Sequence, residues 1–192
     1  MIRLLSSFQK ECAYSGERNG SGLVVMSQVG KFVHNLISPK NKYGFKRVYE
    51  VQFEKPFVGN EKDIFESGKL YLRGEDKPLL PAKFEVMEED RERERFFARI
   101  TLVEGRYHQL RRMIAAIGNV ALNIHRTQVG PLKLNDIEVG LWRPITEEEF
   151  DMVMFPQEYP QVQPINEDPE FYKMVSTVID SESSSIQHQQ NL

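Results

Sequence analysis

Residues 47–54 constrain this chain more than any other stretch. Tyr49, Val51 and Phe53 alternate with Glu50, Gln52 and Glu54 without a break. Successive side chains of a strand point to opposite faces, so the pattern fits a strand with one face on a core and the other in water. A chain that contains it must build a sheet and must cover one side of that sheet with apolar material. Neighbouring segments supply both. Leu23-Val24-Val25-Met26 reads as a short buried strand within 21–27, and Val29, Phe32, Val33, Leu36 and Ile37 recur at helical spacing until Pro39. A basic, glycine-containing loop follows at 41–46. Further on, 60–67 reads as a short helix, 70–73 and 82–87 as strands around a proline-rich turn, and 88–94 as a charged hairpin loop. Ala98, Ile100 and Leu102 mark another strand. A helix over 106–117 has Tyr107, Leu110, Ile114 and Ile117 on one side and Gly118 as its cap, and a strand follows at 120–129. Thr146 followed by Glu149 is a capping-box signature for a last helix ending near Met154.

At 192 residues the chain is long enough for one domain with a real core. No apolar run approaches the roughly 20 residues of a spanning helix. Cys12 is alone, which excludes a disulfide framework and cysteine-based zinc sites, and His34, His108, His125 and His188 lack metal-ligand spacing. There is no phosphate-binding glycine loop, no dinucleotide fingerprint and no nucleophile elbow. The net charge of −3 conceals a division: residues 145–192 carry ten acids and one base, a net −9, while residues 1–144 carry 24 bases and 18 acids, a net +6. A basic body with an acidic end points to a polyanionic partner. Three parts are expected: an irregular segment 1–20, a folded unit 21–155, and a tail 156–192 rich in proline, glutamine, serine and acids that reads as largely disordered.

The chemistry concentrates in Glu104-Gly105-Arg106-Tyr107-His108-Gln109-Leu110-Arg111-Arg112-Met113. A strand ends, a glycine turns the chain, and a helix begins with three arginines within seven residues. No acid occurs from Gly105 to Asn135, a stretch that holds Arg106, Arg111, Arg112, Arg126, Lys133, His108 and His125. Clustered guanidinium groups at a helix start suit phosphate oxygens, which accept paired donors. A solvated helix face is the competing reading for any charge run. The acid-free length and the His-Gln pair favour a binding site.

The same decapeptide closely resembles the signature of RsuA-type ribosomal RNA pseudouridine synthases. Residues 21–26, 30–34 and 37–40 are similar to the segment that follows that family's catalytic aspartate. Lys46-Arg47-Val48-Tyr49-Glu50-Val51 resembles its lysine–tyrosine strand motif, and 123–132 continues the likeness, so that about residues 21–155 match in the family's order. The resemblance implies an α+β fold with a mixed, mainly antiparallel sheet and flanking helices. It implies isomerisation of uridines within ribosomal RNA to pseudouridine, with no cofactor or metal, no membrane, and a monomer that binds RNA. By the same resemblance Tyr49 stacks on the uracil and assists proton removal. Arg111 pairs with the catalytic carboxylate, and Arg106, His108, Gln109, Arg112, His125 and Arg126 shape the pocket and the RNA approach.

Where the family has Gly-Arg-Leu-Asp, this chain reads Tyr14-Ser15-Gly16-Glu17-Arg18-Asn19-Gly20-Ser21, and no aspartate precedes Asp63. An ungapped alignment puts Glu17 at the catalytic place; a short deletion puts Asn19 there. Glutamate adds a methylene, which shifts the attacking oxygen by more than about 1 Å, a misplacement that can cost about a hundredfold. Asparagine is uncharged. The family core starts with strands upstream of Ser21, so the chain is expected to be N-terminally truncated, with a sheet left open at one edge. A degenerate, RNA-binding relative without turnover is the alternative. A cytoplasmic location is expected; Arg3 and Lys10 without an acid before Glu11 leave a mitochondrial or plastid presequence as the alternative.

Overall fold

The structure is a computed structural model that describes residues 2–8, 20–38, 45–135 and 137–159, with the backbone alone at 6–8. Along the chain the described elements are β1 (Ile2–Phe8), β2 (Gly20–Ser27), α1 (Gly30–Ile37), β3 (Arg47–Phe53), α2 (Glu61–Glu66), β4 (Lys83–Asp90), β5 (Arg95–Leu102), α3 (Gln109–Ala116), β6 (Ala121–Val129), β7 (Leu132–Lys133), β8 (Trp142–Pro144) and α4 (Glu147–Met154), then a single 3-10 turn at Pro156–Glu158. The strands form one sheet in the order β4-β5-β3-β6-β2-β1-β8, with β7 on β6. Every pairing is antiparallel except β2 with β6, which run parallel and meet only where Gly20, Ser21 and Gly22 face Ile124, His125 and Arg126.

The alternation in β3 does what the sequence demands. Val51 and Phe53 are buried in a cluster with Phe84, Phe96, Ala98 and Ile100 of the neighbouring strands, Phe65 of α2, and Leu110, Met113 and Ile114 of α3. Phe53 and Phe57 meet edge to face at 5.2 Å, and Phe65 stacks on Phe84 at 5.3 Å. Each such ring contributes about 1.5–3 kcal/mol by leaving water. A second cluster joins Ile2, Leu4 and Leu23 to Phe32 and Leu36 of α1, Val129 of β6, Leu132 of β7 and Val153 of α4. Phe32 of α1 stacks on Phe150 of α4 at 5.7 Å. The Thr146 hydroxyl accepts from the Glu149 amide and the Glu149 carboxylate accepts from the Thr146 amide, the reciprocal box that starts α4.

Several expectations are corrected. Residues 1–20 are not uniformly irregular: Ile2–Phe8 is a strand, paired along its length with β2. It is held there because Ile2 and Leu4 are buried in the second cluster, while the Arg3 guanidinium lies over the Trp142 ring at 3.9 Å. The edge beyond β2 is therefore not open, since β1 and then β8 cover it and the sheet ends at the short β8, which carries Pro144. Residues 70–73 are not a strand: the Glu75 amide bonds to the Leu72 carbonyl and the Leu79 amide to the Leu70 carbonyl, which closes a loop. β4 runs on to Asp90, so the hairpin turn is shorter than 88–94. The helix expected from Arg106 begins at Gln109, and Tyr107 is 77% exposed rather than on the buried side. Beyond Tyr159 the tail lies outside the described residues.

Candidate functional site

The site grows from the register between β3 and β6. Val48 faces Gln128 but Tyr49 faces Arg126, so Thr127 is an extra residue on β6. Such a bulge bends the strand and re-aims a side chain. Tyr49 and Arg126 thereby sit opposite each other, and side chains of opposed residues share a face. Arg47, two residues before Tyr49, projects to that same face. On the other flank of β6, Gly22 of β2 pairs with Arg126. Gly22 has φ +106°, and a Cβ there would lie 2.2 Å from the Arg126 carbonyl oxygen. Glycine is thus required for β2 to approach this closely. The Arg126 Nε donates to the Leu23 carbonyl at 2.8 Å, which fixes its stem along β2. Next to it, Ser21 Oγ and His125 Nδ1 are 2.8 Å apart.

The turn into α3 forms the second wall. Glu104 is buried; its carboxylate accepts from the Leu80 amide at 2.9 Å, from Gln109 Nε2 at 3.1 Å and from Arg106 Nε at 3.1 Å. Gln109 Oε1 accepts from the Arg106 amide at 2.8 Å. His108 precedes the helix with φ 47°, and the Tyr107 ring meets its imidazole edge-on at 4.0 Å. A left-handed histidine costs about 1–3 kcal/mol, which the surrounding contacts must hold in place. Glu75 reaches in from the 73–78 loop and accepts from Arg112 Nη1 at 2.7 Å and Arg106 Nη1 at 3.2 Å. Hydrogen bonding from Arg112, with help from Arg106, holds the Glu75 carboxyl below the usual carboxylate range. Arg106 also donates to the carbonyls of Lys77 and Pro78, and Arg112 to those of Arg73 and Tyr107.

The acid-free run is therefore acid-free only in sequence: Glu75 and Glu104 stand against it in space. Arg106 and Arg112 pin the 73–78 loop to the start of α3, and Gln109 braces the Arg106 amide and the Glu104 carboxylate. Arg111 Nη1 donates to the Ala121 carbonyl at 2.8 Å and ties α3 to the first residue of β6. Tyr49, His108, Arg111, His125 and Arg126 are all partly accessible. Glu17 and Asn19 lie outside the described residues. No group of three or more His, Cys, Asp or Glu among the described residues could hold a metal ion.

Sequence pattern passes over one member of the site. Arg47 is buried at 7% exposure, and its Nη2 donates to the Ile37 carbonyl at the end of α1 at 3.0 Å. Burial lowers its pKa from the ordinary value; Tyr49 opposes that shift, the positive Arg126 adds to it, and Glu104 opposes it. The signal was available: Arg47 is in phase with Tyr49, Val51 and Phe53, the side of the strand that meets the core. Glu75 had no comparable signal, because only the folded loop brings it to α3.

A sequence profile of the family described as RNA pseudouridylate synthase matches residues 17–116. The chain belongs to that family. The ribosomal small subunit pseudouridine synthase A of Haemophilus influenzae is 34% identical over 135 residues, 70% of this chain and 54% of that protein. Its namesake in Vibrio parahaemolyticus is 37% identical over 134 residues, 69% of this chain and 54% of that protein. A crystal structure of a pseudouridylate synthase superposes with a TM-score of 0.67 at 27% identity, covering 79% of this chain and 73% of that one. These likenesses put the chain on the RsuA-type branch and bear out the α+β fold. The chain spans about half the length of the curated relatives it matches.

Proposed function

We propose that this chain is an RNA pseudouridine synthase that isomerises uridines of ribosomal RNA. The observation that carries the reading is the bulged register that sets Tyr49 beside Arg126, in a chain of this family. The target base must first leave its stack, at a cost of about a few kcal/mol. The Tyr49 ring then covers the uracil. Glu17, at the place of the family's aspartate, supplies the carboxylate, and Arg111 keeps it ionised and oriented. The bond from the sugar to uracil nitrogen one breaks with its electron pair going to the base, while the carboxylate holds the sugar carbon. The base turns, and carbon five bonds to that sugar carbon as the carboxylate leaves. The carbon-five proton departs to the Tyr49 side, and nitrogen one takes up a proton. Atoms balance without a cofactor. His108, His125 and Arg126 line the RNA approach, while Arg106 and Arg112 keep the 73–78 loop in position beside it and Gln109 braces Arg106 and Glu104.

One observation favours a second reading, an RNA-binding or ribosome-assembly factor without turnover: Glu17 or Asn19 stands where the family has aspartate. One assay separates the two. Ribosomal RNA carrying tritium at uracil carbon five is incubated with the chain, and released label and RNA binding are both measured. Release that is abolished in Glu17→Gln supports catalysis through that carboxylate. RNA binding without release, beside an active relative, leaves the binding role and removes catalysis.

A further inference from the structure

We propose that Arg47 Nη1 forms an oxyanion subsite that takes a backbone phosphate of bound RNA, next to the nucleotide covered by Tyr49. This rests on the RNA-binding reading above and adds a contact to it. The guanidinium is nine-tenths buried, yet Nη1 has no hydrogen-bond partner among the described residues, while Nη2 is anchored on the Ile37 carbonyl. A buried cation left half-partnered is costly and is ordinarily paired or hydrogen-bonded. A neutral carbonyl would satisfy the N–H but not the charge, so the geometry favours an anionic oxygen.

Access is provided by Gly105. It is solvent-exposed and lacks a side chain, and the place its Cβ would take is 3.6 Å from the Arg47 Cζ and 3.7 Å from Nη1. The guanidinium therefore lies within van der Waals reach of an accessible position from which a side chain is missing. A phosphate oxygen taking that space lies against the guanidinium, where Nη1, closed to solvent in the free chain, is the donor left without a partner among the described residues. Arg126 stands close enough to repel Arg47, so the two cations are better held together with an anion than without one. Tyr49, two residues along β3, puts the proposed base site on the same face. Burial also lowers the tendency of Arg47 to carry its proton, but a guanidinium stays charged at any working pH.

The test is fluorescence anisotropy of the full chain with a short labelled single-stranded RNA, repeated across a potassium chloride series. A phosphate contact releases counterions, and each one contributes about 0.7 to the slope of log affinity against log salt. Arg47→Gln should weaken binding roughly tenfold at low salt and reduce that slope by about 0.7. Gly105→Leu keeps the Arg47–Ile37 bond but covers Nη1, and should reduce the slope equally. It decides the matter where the Gln variant is poorly folded. An unchanged slope in a folded variant, with or without a loss of affinity, overturns the inference and leaves the RNA-binding reading standing. A wild-type chain that binds no RNA overturns both.

Discussion

Gly22→Ala puts the close approach of β2 to β6 to a quantitative test. The added methyl would meet three backbone atoms of one residue: the Arg126 carbonyl oxygen at 2.2 Å, the Arg126 nitrogen at 2.7 Å and the Arg126 carbonyl carbon at 2.9 Å. None of these is the end of a flexible side chain, so relief requires the strands to separate. The φ of +106° adds a conformational cost of about 1–3 kcal/mol for a residue with a Cβ. Overpacking against fixed atoms adds about 1–3 kcal/mol. The expected loss is thus about 2–6 kcal/mol, a large fraction of the roughly 5–15 kcal/mol that holds a domain of ordinary stability. At about 2–4 °C per kcal/mol for a chain of this size, Tm should fall by roughly 4–24 °C, read by circular dichroism. Gly30→Ala is the control, because it opens α1 with nothing within 4 Å of its added methyl. It should melt at or slightly above the wild-type temperature, since alanine favours the helix. If Gly22→Ala melted within about 2 °C of the wild type, the argument that glycine is required at the β2–β6 contact would be refuted. Its RNA affinity should drop as well, since the strand that moves also holds Arg126.

Two further outcomes follow from side chains outside that contact. The Glu75 carboxyl is held low by Arg112 and Arg106, so its folded pKa lies below the unfolded value of about 4.3. Its contribution is present above the unfolded value and is lost as pH falls through the folded one. The Tm gap between wild type and Glu75→Gln should therefore be widest near neutral pH and close in acid; a gap that stays constant down to strongly acid pH contradicts the loop-pinning role. Thr146→Ala removes one half of the capping box of α4 and should cost about 1 kcal/mol by urea denaturation, whereas no measurable loss would mean that Phe150 and Val153 alone hold that helix.

Local patterns made some of this architecture legible. The alternation of β3, the Thr146–Glu149 box and the strand-to-helix turn at Gly105 each rest on contacts within a few residues. β1 was not legible, because its partners are β2 and the distant β8, and Ile2 and Leu4 look like a short apolar start until Leu23 and Val153 surround them. The parallel contact of Gly20–Gly22 with β6 leaves no sequence signal beyond the glycines. Within the site, the basic helix was visible, but the side chains that occupy it were not. Glu75 comes from the proline-rich turn that follows 70–73, and Glu104 and Gln109 meet beside a left-handed His108. Arg47 was hidden by the habit of assigning charged strand residues to water.

The narrow parallel contact between β2 and β6 also sets an order of assembly. The strands β3 to β6 and the helices between them come from one uninterrupted stretch, 47–129, whose strand pairs are mostly near neighbours in the chain. The other side of the sheet needs both extremities at once: Leu4 must find Arg143, and Phe32 must find Phe150. Loop closure makes near contacts fast and distant ones slow. During synthesis the 47–129 portion is complete before β8 has left the ribosome, so the half of the sheet that sets β2 and α1 against Arg126 and Arg47 closes last. Placement of these two arginines is then a late event in folding, and a nick or truncation at either extremity should disturb it.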